Sequence, residues 1–255
     1  LIQEQNGFAG LTNKKLGGRV QKICVAYEGI ERFFPADKIV MTGNPIRGII
    51  VPATREMKEA GVKEYGLDPS RKHIFVVGGS LGSSRFNQCM RKWISDGCPG
   101  IDGVDVLWQC GKYYKKGVDE FMAEQKARNP EVLRHVHHTD FVGRMELAYA
   151  AADVVVSRSG ASSVSELCAA HKAVIFVPSP NVAEDHQTHN AMARVRKDAA
   201  LIVKDADAME KMIPTALDLL KDEARIAALE ENAGKMALPD AAGKIAEEVY
   251  KLIKD

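Results

Sequence analysis

From residue 73 onward the chain repeats one pattern, a short, mainly apolar run rich in β-branched residues followed by a helical stretch. The runs fall at 74–77, 104–109, 132–136, 154–157, 174–177 and 201–203. Continuous rather than alternating apolarity means that both faces of each strand must be covered, and the intervening helices return the chain to the same sheet edge. This combination predicts an α/β, Rossmann-like doubly wound parallel sheet. Ligands of such sheets bind outside the carboxyl ends of the strands. Those ends carry Gly78-Gly79-Ser80-Leu81-Gly82, then 109–112, 140–143, 158–163 and 178–185.

Ahead of this unit lies a different segment, 1–41, with one short helix expected near 11–16 and two short apolar runs at 23–26 and 38–41. It is too short to bury a core of its own, so 1–46 is expected to be the remnant of a second α/β domain together with a hinge. The hinge is Thr42-Gly43-Asn44-Pro45-Ile46-Arg47, where Gly-Asn and Asn-Pro turn and restrict the backbone. The Rossmann-like unit is expected over 47–235. A last amphipathic helix, 241–254, starts past Pro239 and Asp240 and is expected to pack back toward the amino-terminal part within 236–255. The chain begins at Leu1 in mid-pattern, which suggests a carboxyl-terminal piece of something longer.

A formal net charge of +1, with Lys and Arg scattered along helical faces, gives no field for a polyanion and argues against nucleic acid as a partner. The five cysteines, Cys24, Cys89, Cys98, Cys110 and Cys168, show no C-x-x-C spacing and are odd in number, which points to a reducing, cytoplasmic compartment. No apolar run approaches the ~18 residues that a membrane crossing requires, and peripheral membrane contact stays open.

The stretch Asp153 to Glu166 carries the strongest chemical signal. A β-branched run closes on Ser157-Arg158-Ser159-Gly160 and opens directly into a helix through Ala161, Ser162, Ser163, Val164 and Ser165. Unpaired amides and hydroxyls therefore converge on one spot, a socket for an anion. Glu166, in the first turns of the same helix, can accept from a pair of vicinal hydroxyls, so a ribose diphosphate fits. The Gly78 to Gly82 loop either cradles a phosphate or sugar or is simply a tight turn that needs glycine. The second strand of the unit ends Trp108-Gln109-Cys110 without an acidic residue for an adenosine ribose, which disfavours a nicotinamide cofactor.

The polar loop 178–190 enters a helix at the same edge, with Gln187 and Asn190 one turn apart and suited to sugar hydroxyls, although a cap by Asp185 explains part of it. Arg47 and Arg158 are cations near the expected diphosphate. His186 with His189, or His135 with His137 and His138, lack the spacing of a metal site. In Asp205-Ala206-Asp207 the D-x-D pattern of a cation site competes with a capping box formed by Asp207 and Glu210. No metal and no cofactor are expected.

Taken together, residues 4–14, Gly43 to Arg47, Gly78 to Gly82, Ser159 to Glu166 and Asp185 to Ala191 resemble the MurG family, N-acetylglucosaminyltransferases of the GT-B kind. The resemblance implies inverting, metal-independent transfer from UDP-N-acetylglucosamine to lipid-linked MurNAc-pentapeptide, lipid I to lipid II, at the cytoplasmic face of the bacterial inner membrane, with peripheral association. It implies that Arg47, Ser80, the backbone of Val142, Ala161, Ser162, Ser163, Val164, Ser165, Glu166 and Gln187 hold the donor. Glu166 would take the ribose, Val142 would sit beside uracil, and Asn6 would face the donor sugar across the domain junction. The histidine-bearing glycine-rich loop of that family, thought to help activate the acceptor hydroxyl, has no counterpart here, so the lipid-linked acceptor and the catalytic base are expected outside this chain. A diacylglycerol glucosyltransferase, a UDP-sugar epimerase, or a donor-binding module paired with a separate subunit are the rival readings.

Overall fold

The computed structural model describes residues 1–254. Two parallel sheets follow one another along the chain. The first, in the order β1-β2-β3, is built from β1 (Ile2–Glu4), β2 (Ile23–Val25) and β3 (Ile39–Met41), with helix α1 (Leu11–Gly17) between its first two strands. Its small core gathers Ala9, Ile23, Val25, Ile30 and Phe34.

The second sheet contains β4 (Lys72–Val77), β5 (Val104–Gln109), β6 (Val136–Thr139), β7 (Val154–Ser157), β8 (Val174–Phe176) and β9 (Leu201–Ile202). All its pairings are parallel, in the order β6-β5-β4-β7-β8-β9. The helices are α2 (Arg55–Glu64), α3 (Ser84–Ser95), α4 (Lys115–Arg128), α5 (Pro130–Leu133), α6 (Met145–Ala151), α7 (Ala161–Ala169), α8 (His186–Val195), α9 (Ala208–Leu219), α10 (Glu223–Lys235) and α11 (Ala241–Lys254). The continuous apolar strands serve both faces. In β4, Ile74 and Val76 join the core under α3 and α9, while Phe75 and Val77 join the core under α2, α6 and α7. This is the Rossmann-like, doubly wound arrangement that the pattern predicts. Strand order reverses between β4 and β7, so a crevice opens where their carboxyl ends part.

The strand expected at 132–136 is displaced. Pro130 occupies the first position of the short helix α5, where its fixed φ favours coiling, and β6 begins only at Val136. The edge strand is missed by an apolar-run criterion because His137, His138 and Thr139 are polar and half-buried. The hinge is held on several sides. The N–H groups of Thr42 and Gly43 both donate to the Val25 carbonyl at 3.0 Å. Asn44 donates to the Gln5 carbonyl (2.9 Å) and to Ser165 Oγ (3.1 Å), so it stitches the first sheet to α7. A Cβ at Gly43 would lie 2.7 Å from that of Leu238, which brings the segment before α11 against the hinge.

Candidate functional site

A cleft of about 780 Å³ opens at the switch point between β4 and β7. Its walls are the Gly78 to Arg85 segment after β4, the bend and first turn of α7, the loop before α8, and Gln5 and Asn6 from the first sheet.

The loop after β4 is shaped by close backbone packing. Gly82 has φ +79° and Gly111 has φ +92°. A Cβ on Gly82 would collide with the Cys110 carbonyl oxygen, and one on Gly111 with that of Leu81. Gly78 donates its N–H to Gln109 Oε1 at 3.1 Å, so the glutamine that stands where a nicotinamide enzyme would carry an acid has a structural task. Ser83 caps α3, accepting from the Phe86 N–H at 3.3 Å.

The amino terminus of α7 is left open. Gly160 occupies the cap position without any side-chain hydrogen bond, and the first intrahelical bond runs from Val164 N to Gly160 O. The amides of Ala161, Ser162 and Ser163 therefore have no intrahelical partner, and all three residues line the cleft. Unsatisfied N–H groups and the positive end of the helix dipole meet there, an anion socket.

Ser80, Gln187 and Asn6 also line the cleft. Gln187 Oε1 accepts from Ser179 N (2.9 Å) and Ser159 N (3.3 Å), which makes its amide N–H2 the end available for donation. Asn6 is oriented by the buried Glu4. One carboxylate oxygen takes the Asn6 N–H at 3.0 Å, and the other takes Gly10 N and Asn13 Nδ2, both at 2.9 Å. Asn190, expected to face sugar hydroxyls, is wholly buried instead. It accepts from Gly7 N (2.8 Å) and donates to Asn6 Oδ1 (3.0 Å) and Ser159 O (3.1 Å), fastening the loop after β1 to α8.

Five of the sequence-derived site residues lie off the cleft walls: Arg47, Val142, Val164, Ser165 and Glu166. Val142 and Val164 have buried side chains, and Ser165 Oγ faces Asn44. Glu166 is held by Arg47, whose Nε and Nη2 each donate to Oε1 at 3.0 Å and whose Nη2 reaches Oε2 at 3.1 Å. Burial, together with the adjacent Glu166 carboxylate, drives the Tyr149 phenol far above its ordinary pKa, so it stays protonated and donates to Oε2 at 3.3 Å. The arginine and the glutamate that the sequence sends to the phosphate and to the ribose meet each other.

Arg158 is likewise engaged. It donates to Val177 O (2.9 Å), Ser83 Oγ (2.9 Å) and Asp205 Oδ1 (2.6 Å), and its guanidinium stacks over Phe86. Asp205 also accepts from Arg85 Nε at 3.2 Å. The capping box does not form. Asp207 ends a 3₁₀ turn with φ −90° and ψ −6°, makes no cap bond, and pairs with Lys211 at 3.2 Å. Asp185 also makes no cap bond to the α8 backbone; its carboxylate accepts from the Thr188 hydroxyl at 2.7 Å. Of the histidines weighed as metal ligands, His135 and His137 lie against Asp105 at 2.8 and 3.4 Å, His138 against Asp119 at 2.9 Å, and His189 stacks on Phe8. Sequence reasoning gave no role to Glu4, which orients Asn6; a glutamate opening the Gly/Asn-bearing segment 4–13 was the available signal.

Known proteins are similar to this chain in sequence and in architecture. The chain is 48% identical over 254 residues to the UDP-N-acetylglucosamine–N-acetylmuramyl-(pentapeptide) pyrophosphoryl-undecaprenol N-acetylglucosamine transferase of Bacteroides thetaiotaomicron, covering 99% of this chain and 66% of that protein. It is 47% identical to the protein of the same description from Bacteroides fragilis, covering 99% of this chain and 64% of the relative. The chain thus spans roughly two thirds of the length of the relatives it matches. Among solved structures, Acinetobacter baumannii MurG superposes with a TM-score of 0.74 at 24% identity, over 98% of this chain and 66% of that one. A UDP-N-acetylglucosamine 2-epimerase superposes with a TM-score of 0.65 at 15% identity, over 94% and 60%, a likeness of fold alone. The model of the glycosyltransferase family 28 C-terminal domain matches residues 73–245, which hold the switch-point sheet except for Lys72 and the cleft walls except for Gln5 and Asn6, and the chain belongs to that family.

Proposed function

We propose that this chain is the donor half of an enzyme that transfers N-acetylglucosamine from UDP-N-acetylglucosamine to lipid-linked MurNAc-pentapeptide, with inversion and without a metal. The observation that carries the reading is the uncapped start of α7, with the Ala161, Ser162 and Ser163 amides facing the cleft at the switch point. A diphosphate resting there gains the helix dipole and preorganised N–H donors, which can stabilise the leaving UDP as the glycosidic bond breaks. Glu166 accepts from the ribose hydroxyls once Arg47 yields, Val142 offers its backbone to uracil, and Gln187 and Asn6 stand at the sugar end.

The acceptor's C4 hydroxyl attacks the anomeric carbon from the face opposite UDP. In this reading the general base, worth on the order of 10² to 10⁴ in rate, lies in the third of the relatives' length that the chain does not span. Among the described residues no helix is long and apolar enough to cross a membrane. We assign the longer protein to the cytoplasmic membrane face, where its lipid-linked acceptor would reside, as a peripheral protein.

Calorimetric titration with UDP-N-acetylglucosamine, UDP-glucose and NAD tests the reading. The UDP-sugars are expected to bind, NAD is not, and the chain alone is expected not to turn over a lipid-linked acceptor. Binding of UDP that is unchanged in Glu166→Ala refutes the ribose assignment.

A further inference from the structure

The anion socket has a cation whose role the sequence does not announce. Among the described residues three side chains with fixed charge line the cleft: Arg85, Arg158 and Asp205. Two guanidinium groups share one carboxylate, so the wall carries an excess of one positive charge. The sharing is unequal. Arg158 lies 2.6 Å from Asp205, also holds Val177 O and Ser83 Oγ, and its side chain is only 13% exposed. Arg85 lies 3.2 Å from the same carboxylate through Nε, its side chain is 36% exposed, and its Nη1 and Nη2 have no partner among the described residues. Arg47, the other arginine near the site, is bound bidentately to Glu166 and does not line the cleft.

We propose that Arg85 is the donor-binding cation, turning its terminal N–H groups onto the diphosphate of the nucleotide sugar while Asp205 stays with Arg158. The inference rests on the donor reading above and adds a residue to it. Arg85 sits in the first turn of α3, directly after the loop that holds Ser80, so it and the open start of α7 border the same cleft. A planar guanidinium with two unengaged N–H2 groups matches phosphate oxygens bidentately, which a point charge does not. The division of labour follows from the contacts. Arg158 is a positioning residue that fixes Ser83 and the β8 end, and Asp205 keeps the unliganded Arg85 from folding back into solvent.

The test separates nucleoside from phosphate. Uridine, UMP and UDP are titrated into this chain and into Arg85→Gln and Arg85→Lys, with the salt dependence of UDP binding measured for each. Arg85→Gln is expected to leave uridine affinity within about twofold and to weaken UDP by roughly tenfold or more, with a flatter salt dependence. Arg85→Lys, which keeps the charge and loses the fork, falls between; it carries the comparison if the Gln variant melts early. UDP affinity unchanged in both variants overturns the proposal and leaves the donor reading intact. Equal loss of uridine and UDP also overturns it, because that result assigns Arg85 to loop support. If the parent chain binds neither uridine nor UDP, the donor reading fails first and the proposal with it.

Discussion

Removing Arg47 should tighten the binding of a nucleoside. In the structure its guanidinium makes two hydrogen bonds to Glu166 Oε1 and one to Oε2. Those are the oxygens that a ribose must use if Glu166 recognises its hydroxyls. Ribose binding therefore competes with an internal ion pair, and the pair's free energy is subtracted from the affinity. The carboxylate side chain is 11% exposed and the guanidinium 46%, so the pair lies between two regimes. Fully exposed pairs are worth about 0.2–1 kcal/mol and hydrogen bonds to charged groups about 1.5–3 kcal/mol. Solvent screening on the arginine side argues for the lower part of that span, about 1 kcal/mol, which converts to roughly fivefold in affinity. Arg47→Ala should then bind uridine about fivefold more tightly than the parent chain. UDP should gain less, or lose, if the released guanidinium of the parent chain reaches the phosphates. Calorimetry with uridine and UDP side by side reads both numbers. If uridine affinity is unchanged or weaker in Arg47→Ala, Arg47 does not compete for the nucleoside and the exchange argument is wrong.

Three further outcomes follow from other contacts. Burial alone would raise the Asp105 carboxyl, but His137, the Asp68 N–H and His135 outweigh it and hold the group at about 2, below the ordinary 3.8. A carboxylate with a lowered folded pKa stabilises the fold above its unfolded value and loses that contribution as pH falls from about 4 through about 2. The loss is about 2 kcal/mol, and Asp105→Asn should flatten this acid limb in denaturant titrations run between those pH values. Gly82→Ala puts a side chain on a backbone at φ +79° and into the Cys110 carbonyl. It should cost about 2–4 kcal/mol and weaken UDP binding, and a melting midpoint equal to the parent's would contradict the packing described. Asn190→Asp keeps the shape but sets a carboxylate oxygen against Ser159 O and Asn6 Oδ1, where an amide now donates. The variant should lose about 2–4 kcal/mol and show faster hydrogen exchange at Gly7 and Gly10; full retention of amide protection there would remove Asn190 as the fastener of that loop.

The parts of this molecule legible in its sequence are those decided by neighbours along the chain. The runs 74–77, 104–109 and 154–157 become strands because short, β-branched, mainly apolar runs between helices suit a sheet covered on both faces, and β4 and β7 leave their glycine-bearing loops at the switch point for the same reason. The open start of α7 is legible too, since glycine rather than Ser, Asp or Asn stands at its cap position. What the sequence could not convey is the pairing of charges across the fold. Arg47 and Glu166 are 119 residues apart, and Arg158 and Asp205 are 47 apart. Each carries motif-level reasons to face a ligand, and none of those reasons weighs a competing partner brought in by topology. Asp207 shows the same limit at short range: with Glu210 it satisfies a capping-box pattern, yet the preceding 3₁₀ turn gives it helical dihedrals from which its side chain caps no helical amide. Local pattern therefore identifies which N–H groups a helix leaves unsatisfied. Which cation joins them at the bound phosphate depends on how the carboxylates at 166 and 205 are already shared, and so on side chains that only the folded chain brings together.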